Sequence, residues 1–153
     1  MAARKAVQTD KAPKAIGPYS QAVQIGDTLY ISGQVGMDPA TGKLVEGGTP
    51  AQAGQALTNI KAILTEAGFA VTDVVQVQVF LADIGDFAPV NDVYKTFFAE
   101  PYPARAAIQA AALPAGARVE ILTIAQRQAK TGLKHPVLHS RQVMEHKYEE
   151  EGL

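Results

Sequence analysis

Residues 74–82 read Val74-Val75-Gln76-Val77-Gln78-Val79-Phe80-Leu81-Ala82, and that alternation with period two is the signature of a strand. Val75, Val77, Val79 and Leu81 would share one apolar face. Val74, Gln76, Gln78 and Phe80 would share the other, which is mixed. Such a strand suits a sheet that packs helices on one side and something more polar on the other.

The flanking segments supply the helices. Upstream, Thr49 is placed to cap a helix, Pro50 fits its first position and Gln52 completes a capping box. Leu57, Ile60, Ile63, Leu64 and Ala67 follow at helical spacing, and Gly68 is a natural stop. Downstream, Asp86 is placed to cap a second helix whose buried stripe is Val90, Val93, Tyr94, Phe97 and Phe98. Pro101 and Pro103 require that helix to end near Glu100.

Further out, residues 22–25 and 28–32 read as a hairpin about Gly26-Asp27, and residues 38–43 as a surface turn. Residues 105–112 form a strand of small residues. A turn at Leu113-Pro114-Ala115-Gly116 leads to a last strand over 117–126, with Val119, Ile121, Thr123 and Ala125 on one face. The order hairpin, helix, strand, helix, two strands predicts an α+β domain with a mixed sheet and two helices on one face. The mixed outer face calls for a cover, and a second copy of the chain is the expected one.

Composition narrows the function. A chain of 153 residues that is 47% hydrophobic and 19% charged suits one globular domain. Net charge is −1, with no basic stripe, so no nucleic-acid partner is expected. The absence of cysteine excludes disulfides and thiolate catalysis. No apolar run has the length of a signal peptide core or a membrane span, so a cytoplasmic location is expected. Neither a phosphate-binding nor a dinucleotide-binding glycine loop is present. All three histidines, His135, His139 and His146, lie in residues 131–153. A domain over 1–130 thus has no Ser-His-Asp triad and no histidine-based zinc site, and no metal or cofactor is expected. Residues 131–153 are expected to form a flexible extension, because Glu149, Glu150 and Glu151 at the end of a helix would oppose its dipole.

The remaining chemistry is arginine, carboxylate, hydroxyl and backbone. Arg105 stands among small residues, and a guanidinium donates two parallel bonds to a planar carboxylate. On the residues alone it reads equally as a strand-edge arginine facing solvent or pairing with a glutamate. Glu120 shares a strand face with Leu122 and Ile124, where a carboxylate is costly unless partnered. It would act on water in a pocket, or simply pair with Arg118 or Arg127. Tyr19 follows the stiff Gly17-Pro18 turn. Ser32 and Gly33 end a strand, where a bare backbone could approach a ligand.

Four stretches together resemble the RidA/YjgF family, also called the L-PSP endoribonuclease family. They are Ala15 to Ala22, Tyr30 to Gln34 with the following Gly36, Pro103 to Ala107, and Leu113-Pro114 through Val119-Glu120-Ile121. The resemblance spans about residues 4–130. It implies a chorismate-mutase-like fold, trimerising into a central barrel with clefts between neighbouring subunits. It implies hydrolysis of reactive enamine and imine intermediates, such as 2-aminoacrylate, 2-iminobutanoate and 2-iminopropanoate, to 2-keto acids and ammonia. By the same resemblance Arg105 would grip the substrate carboxylate and Glu120 would orient water or move a proton. Tyr19, Ser32, Gly33, Asn91 and Ala107 would line the substrate site, with Gln76 and Gln78 toward the trimer interior. Ala107 stands where many relatives carry cysteine, and Leu122 where a second glutamate is usual. Two other readings compete: an endoribonuclease or translation inhibitor, and a non-enzymatic trimer that binds small carboxylates or acts as a holdase.

Overall fold

A computed structural model describes residues 3–128; the expected extension over 131–153 lies outside the described residues. The elements are β1 (Lys5–Val7), β2 (Ala22–Ile25), β3 (Thr28–Val35), β4 (Met37–Asp38), β5 (Lys43–Leu44), α1 (Gly48–Glu66), β6 (Val74–Leu81), α2 (Phe87–Phe97), β7 (Ala104–Gln109) and β8 (Val119–Gln126). Six strands form one sheet in the order β1-β2-β3-β8-β6-β7, and β4 pairs with β5 separately. Within the six-stranded sheet only β6 and β7 run parallel. That pairing follows from the helix between them, because a parallel neighbour needs a crossover.

The core lies between the sheet and the two helices. Leu29, Ile31, Val77, Val79, Val119, Ile121 and Ala125 meet Leu57, Ile60, Ile63 and Leu64 of α1, all buried. Each valine, leucine or isoleucine among them stabilises the fold by about 1.5–3 kcal/mol when fully buried. The expected α+β layering and both long helices are therefore present.

Several expectations are corrected. Helix α1 begins at Gly48 behind an N-cap glycine, Gly47, in the left-handed conformation, with no side-chain cap. Thr49 donates its hydroxyl to Asp86 Oδ2 at 2.8 Å, and Gln52 Oε1 accepts from the Arg118 amide at 2.8 Å. The capping-box pair thus ties α1 to its neighbours. Val75 is 47% exposed, because a register shift between Val74 and Gln76 moves Val74 to the core side. Asp86 does stand at the N-cap of α2, yet its carboxylate is engaged by Thr49 and Arg118. Strand β3 runs three residues beyond the expected 28–32, and β1, β4 and β5 were not anticipated.

Buried amides fix the irregular segments. The Gln21 side chain accepts from the Thr9 amide at 2.7 Å and donates to the carbonyls of Thr9, Ala12 and Pro13. Asn59 Nδ2 donates to the Met37 carbonyl at 2.9 Å. A buried amide so satisfied determines where a loop must run.

Candidate functional site

The sheet register sorts the candidate residues. Along one cross-strand row Val35 pairs with Glu120, Glu120 with Phe80, and Phe80 with Ile108. This row lies on the sheet face away from the helices. A second row runs Ile31, Thr123, Val77, Arg105, and its first three members are core residues on the helix side. Side chains alternate along a strand, so Arg105 and Glu120 of one chain stand on opposite faces of the sheet.

Glu120 borders a cavity of about 790 Å³ together with Tyr19, Ser32, Gly33, Gln34 and Lys14. Its hydrocarbon neighbours withdraw solvent, and that desolvation pushes its carboxyl above the ordinary glutamate range. Neither expected arginine partner reaches it: Arg118 pairs with Asp86 at 3.0 Å, and Arg127 pairs with Asp27 at 3.4 Å. Two residues along from Glu120 the β3 register slips between Ile31 and Gln34, so Ser32 and Gly33 together face Leu122, a bulge that bends the strand. A Cβ on Gly33 would overlap the Glu120 carboxylate; only glycine lets that carboxylate sit against the backbone. The Ser32 hydroxyl donates to the Ser20 carbonyl at 2.6 Å, which leaves its lone pairs as the part free to meet a ligand. Tyr19 is 52% exposed at the cavity wall. Pro13, Ile16, Met37, Pro39, Pro114 and Ala115 also line this cavity. They carry no polar signature, which is why a search for chemistry in the sequence passes over them.

Arg105 lines a second recess of about 380 Å³ with Asn91, Tyr94, Lys95, Tyr102 and Pro103. Its Nη1 donates to Asn91 Oδ1 at 2.7 Å. The guanidinium carbon lies 4.6 Å from the centre of the Tyr94 ring and 5.2 Å from that of Phe87, within cation–π range. Burial raises the Tyr94 phenol's pKa, and the Arg105 charge opposes that rise only in part, so the ring stays neutral beneath the cation. Arg105 is thus a strand-edge arginine, as one reading had it, but without a glutamate: among the described residues no salt bridge engages it. Asn91 touches Arg105 directly. Ala107 lines neither recess and packs against the core. The described residues hold no cluster of metal-ligating side chains, and none of their helices is long and apolar enough to cross a membrane.

The sequence profile of the family described as Endoribonuclease L-PSP matches residues 9–127. A Bos taurus protein named 2-iminobutanoate/2-iminopropanoate deaminase is 62% identical over 122 residues, covering 80% of this chain and 89% of its own. A Homo sapiens protein of the same name is 56% identical over 122 residues, with coverage of 80% and 89%. Among solved structures, RidA from an Antarctic Psychrobacter superposes with a TM-score of 0.78 at 54% identity, covering 80% of this chain and 99% of that one. Escherichia coli TdcF with bound serine superposes with a TM-score of 0.77 at 42% identity, covering 81% and 99%.

Proposed function

This chain belongs to the Endoribonuclease L-PSP family, the group that includes RidA, and from that premise we propose that it is an imine deaminase, converting 2-iminobutanoate and 2-iminopropanoate to their 2-keto acids and ammonia. Relatives at 56–62% identity over most of the chain carry that name. The observation that carries the reading to residues is a guanidinium that, among the described residues, has no carboxylate partner, together with a desolvated carboxylate that has no cationic one there. The first suits a substrate carboxylate. The second suits a water molecule and its protons.

In this mechanism Arg105 binds the carboxylate and so places the adjacent C=N carbon, which is already electrophilic. Glu120 takes a proton from water as its oxygen bonds to that carbon. Glu120 returns that proton to the nitrogen, giving the neutral carbinolamine; the hydroxyl proton then passes by way of Glu120 to the same nitrogen as the C=O bond forms and the C–N bond breaks, and keto acid and ammonia leave. Holding the two reactants in place supplies most of what so activated a bond needs. Tyr19, Ser32 and the Gly33 backbone would line the substrate's path.

Because Arg105 and Glu120 of one chain face apart, a site that uses both draws them from two copies. We infer a homotrimer with its active sites between neighbours. The open sheet face supports this assembly: Tyr30 is 49% and Ile108 52% exposed, beside half-buried Leu122 and Ile124. Serine in the Escherichia coli relative is a small amino acid of the size and carboxylate chemistry this site would take.

The test is a coupled assay in which a pyridoxal-phosphate dehydratase generates the imine and semicarbazide traps it. Wild type should divert imine to keto acid, and Arg105→Ala should lose that activity by at least about a hundredfold. Keto-acid binding without turnover by wild type would replace the enzyme with a binding module. Cleavage of RNA by highly purified protein would favour the endoribonuclease reading.

A further inference from the structure

Among the described residues every side chain that holds the Arg105 cation is neutral. Asn91 accepts one Nη1 hydrogen at 2.7 Å, and two aromatic rings flank the guanidinium. Among the described residues the recess also contains Lys95 but no carboxylate. Elsewhere among the described residues two arginines are held by acids, Arg118 by Asp86 and Arg127 by Asp27, while the exposed Arg4 near the start of the chain has no salt bridge. An aspartate at position 91 would occupy the same volume as the asparagine and make a stronger bond to Arg105. It would also neutralise the charge that a bound carboxylate needs.

We propose that Asn91 is a positioning residue for the reaction: it fixes the Arg105 guanidinium through a neutral amide oxygen, so that the cation is oriented yet keeps its full charge for the substrate carboxylate. The proposal rests on the deaminase reading and reassigns Asn91 from lining the substrate to holding the group that holds the substrate. One edge of the guanidinium is engaged by the amide. The remaining N–H groups form the fork for a planar anion. Tyr94, 4% exposed, provides the fixed floor against which the fork lies. An arginine free to rotate would lose side-chain entropy each time it bound; one already held loses less.

The experiment uses the full chain and two probes, 2-oxobutanoate and its uncharged amide, titrated by calorimetry into wild type, Asn91→Ala, Asn91→Asp and Arg105→Ala. Asn91→Ala should weaken 2-oxobutanoate about threefold, the loss of one modest hydrogen bond. Asn91→Asp should weaken it about tenfold or more, while binding of the amide changes little. In turnover Asn91→Asp should raise KM far more than it lowers kcat. Its melting temperature should match or exceed that of wild type, which separates charge from folding. A purely structural asparagine predicts the reverse order, since aspartate preserves shape and bonding better than alanine. Asn91→Asp binding 2-oxobutanoate as well as Asn91→Ala, or better, overturns the proposal. If Arg105→Ala loses 2-oxobutanoate and Asn91→Asp does not, only the role of Asn91 falls. If Arg105→Ala binds it like wild type, the assignment of Arg105 falls as well.

Discussion

Glu120 is a carboxylate set in a row of hydrocarbon, between Val35 and Phe80 with Ile108 beyond. The fold therefore favours its neutral form. An acid raised in this way holds more protons folded than unfolded. Stability falls as pH rises from the ordinary glutamate range through the raised value, then levels off. At neutral pH the ionised group is thus a cost to the fold and an asset to chemistry. Glu120→Gln should melt at the same temperature as wild type or higher, while kcat drops by about a hundredfold or more. In wild type the acid limb of the rate profile should lie above the ordinary glutamate range. Stopped assays from pH 4 to 8 beside thermal melts check both; an unchanged kcat removes Glu120 from the mechanism. Arg105 and Glu120 stood out in the sequence as candidates, because a charged residue among small or apolar neighbours demands a reason. Their partners did not. Nothing in the spacing said that Asn91, on the preceding helix, meets Arg105, or that Arg118 and Arg127 are taken by Asp86 and Asp27.

At the scale of elements, long periodic segments were readable and short or shifted ones were not. The strand over 74–82 and the helices on either side stood out because many side chains repeat one period. Three-residue β1 and two-residue β4 and β5 contain no period to detect. The slip at Val74 and Gln76 reverses one valine against its face, which alternation alone misassigns. Cross-strand register is set by packing, so the placement of Arg105 and Glu120 on opposite faces was beyond pattern reading. One contact between elements depends on a single missing atom. Gly36, where β3 turns into β4, lies so near α1 that a Cβ would run into the Gln52 backbone. Gln52 in turn holds the Arg118 amide just before β8. Gly36→Ala should force the helix outward and lose about 1–3 kcal/mol of stability, seen as a lower denaturant midpoint with an unchanged slope. A midpoint equal to wild type would mean that the helix yields there at no cost.

For the whole molecule the division of the site between two sheet faces gives a quantitative expectation. Arg105→Ala and Glu120→Gln should each be nearly inactive alone. If the proposed trimer forms, then in mixed assemblies refolded from the two variants together half the Arg105 positions and half the Glu120 positions are intact. If each site takes one residue from each of two neighbours, about a quarter of the sites regain both, and about a quarter of wild-type activity should return. Recovery no greater than the sum of the two variants would place both residues within one chain's reach and end the shared-site reading. In the residues themselves the mixed face of 74–82 was the sign of assembly, and a sheet face that needs cover does not name what covers it; the trimer came from the family resemblance.

The sheet order has a further consequence for how this protein comes into being. Strand β8, the last described element in the chain, occupies the middle of the sheet and is the partner of both β3 and β6. Until it exists, the β1-β2-β3 segment and the β6-α2-β7 unit have no strand between them. A chain still emerging from the ribosome thus carries two unfinished halves with their apolar faces uncovered, for the several seconds that synthesis at about 5–20 residues per second takes. The final strand acts as a keystone, and the domain closes only after translation has passed it.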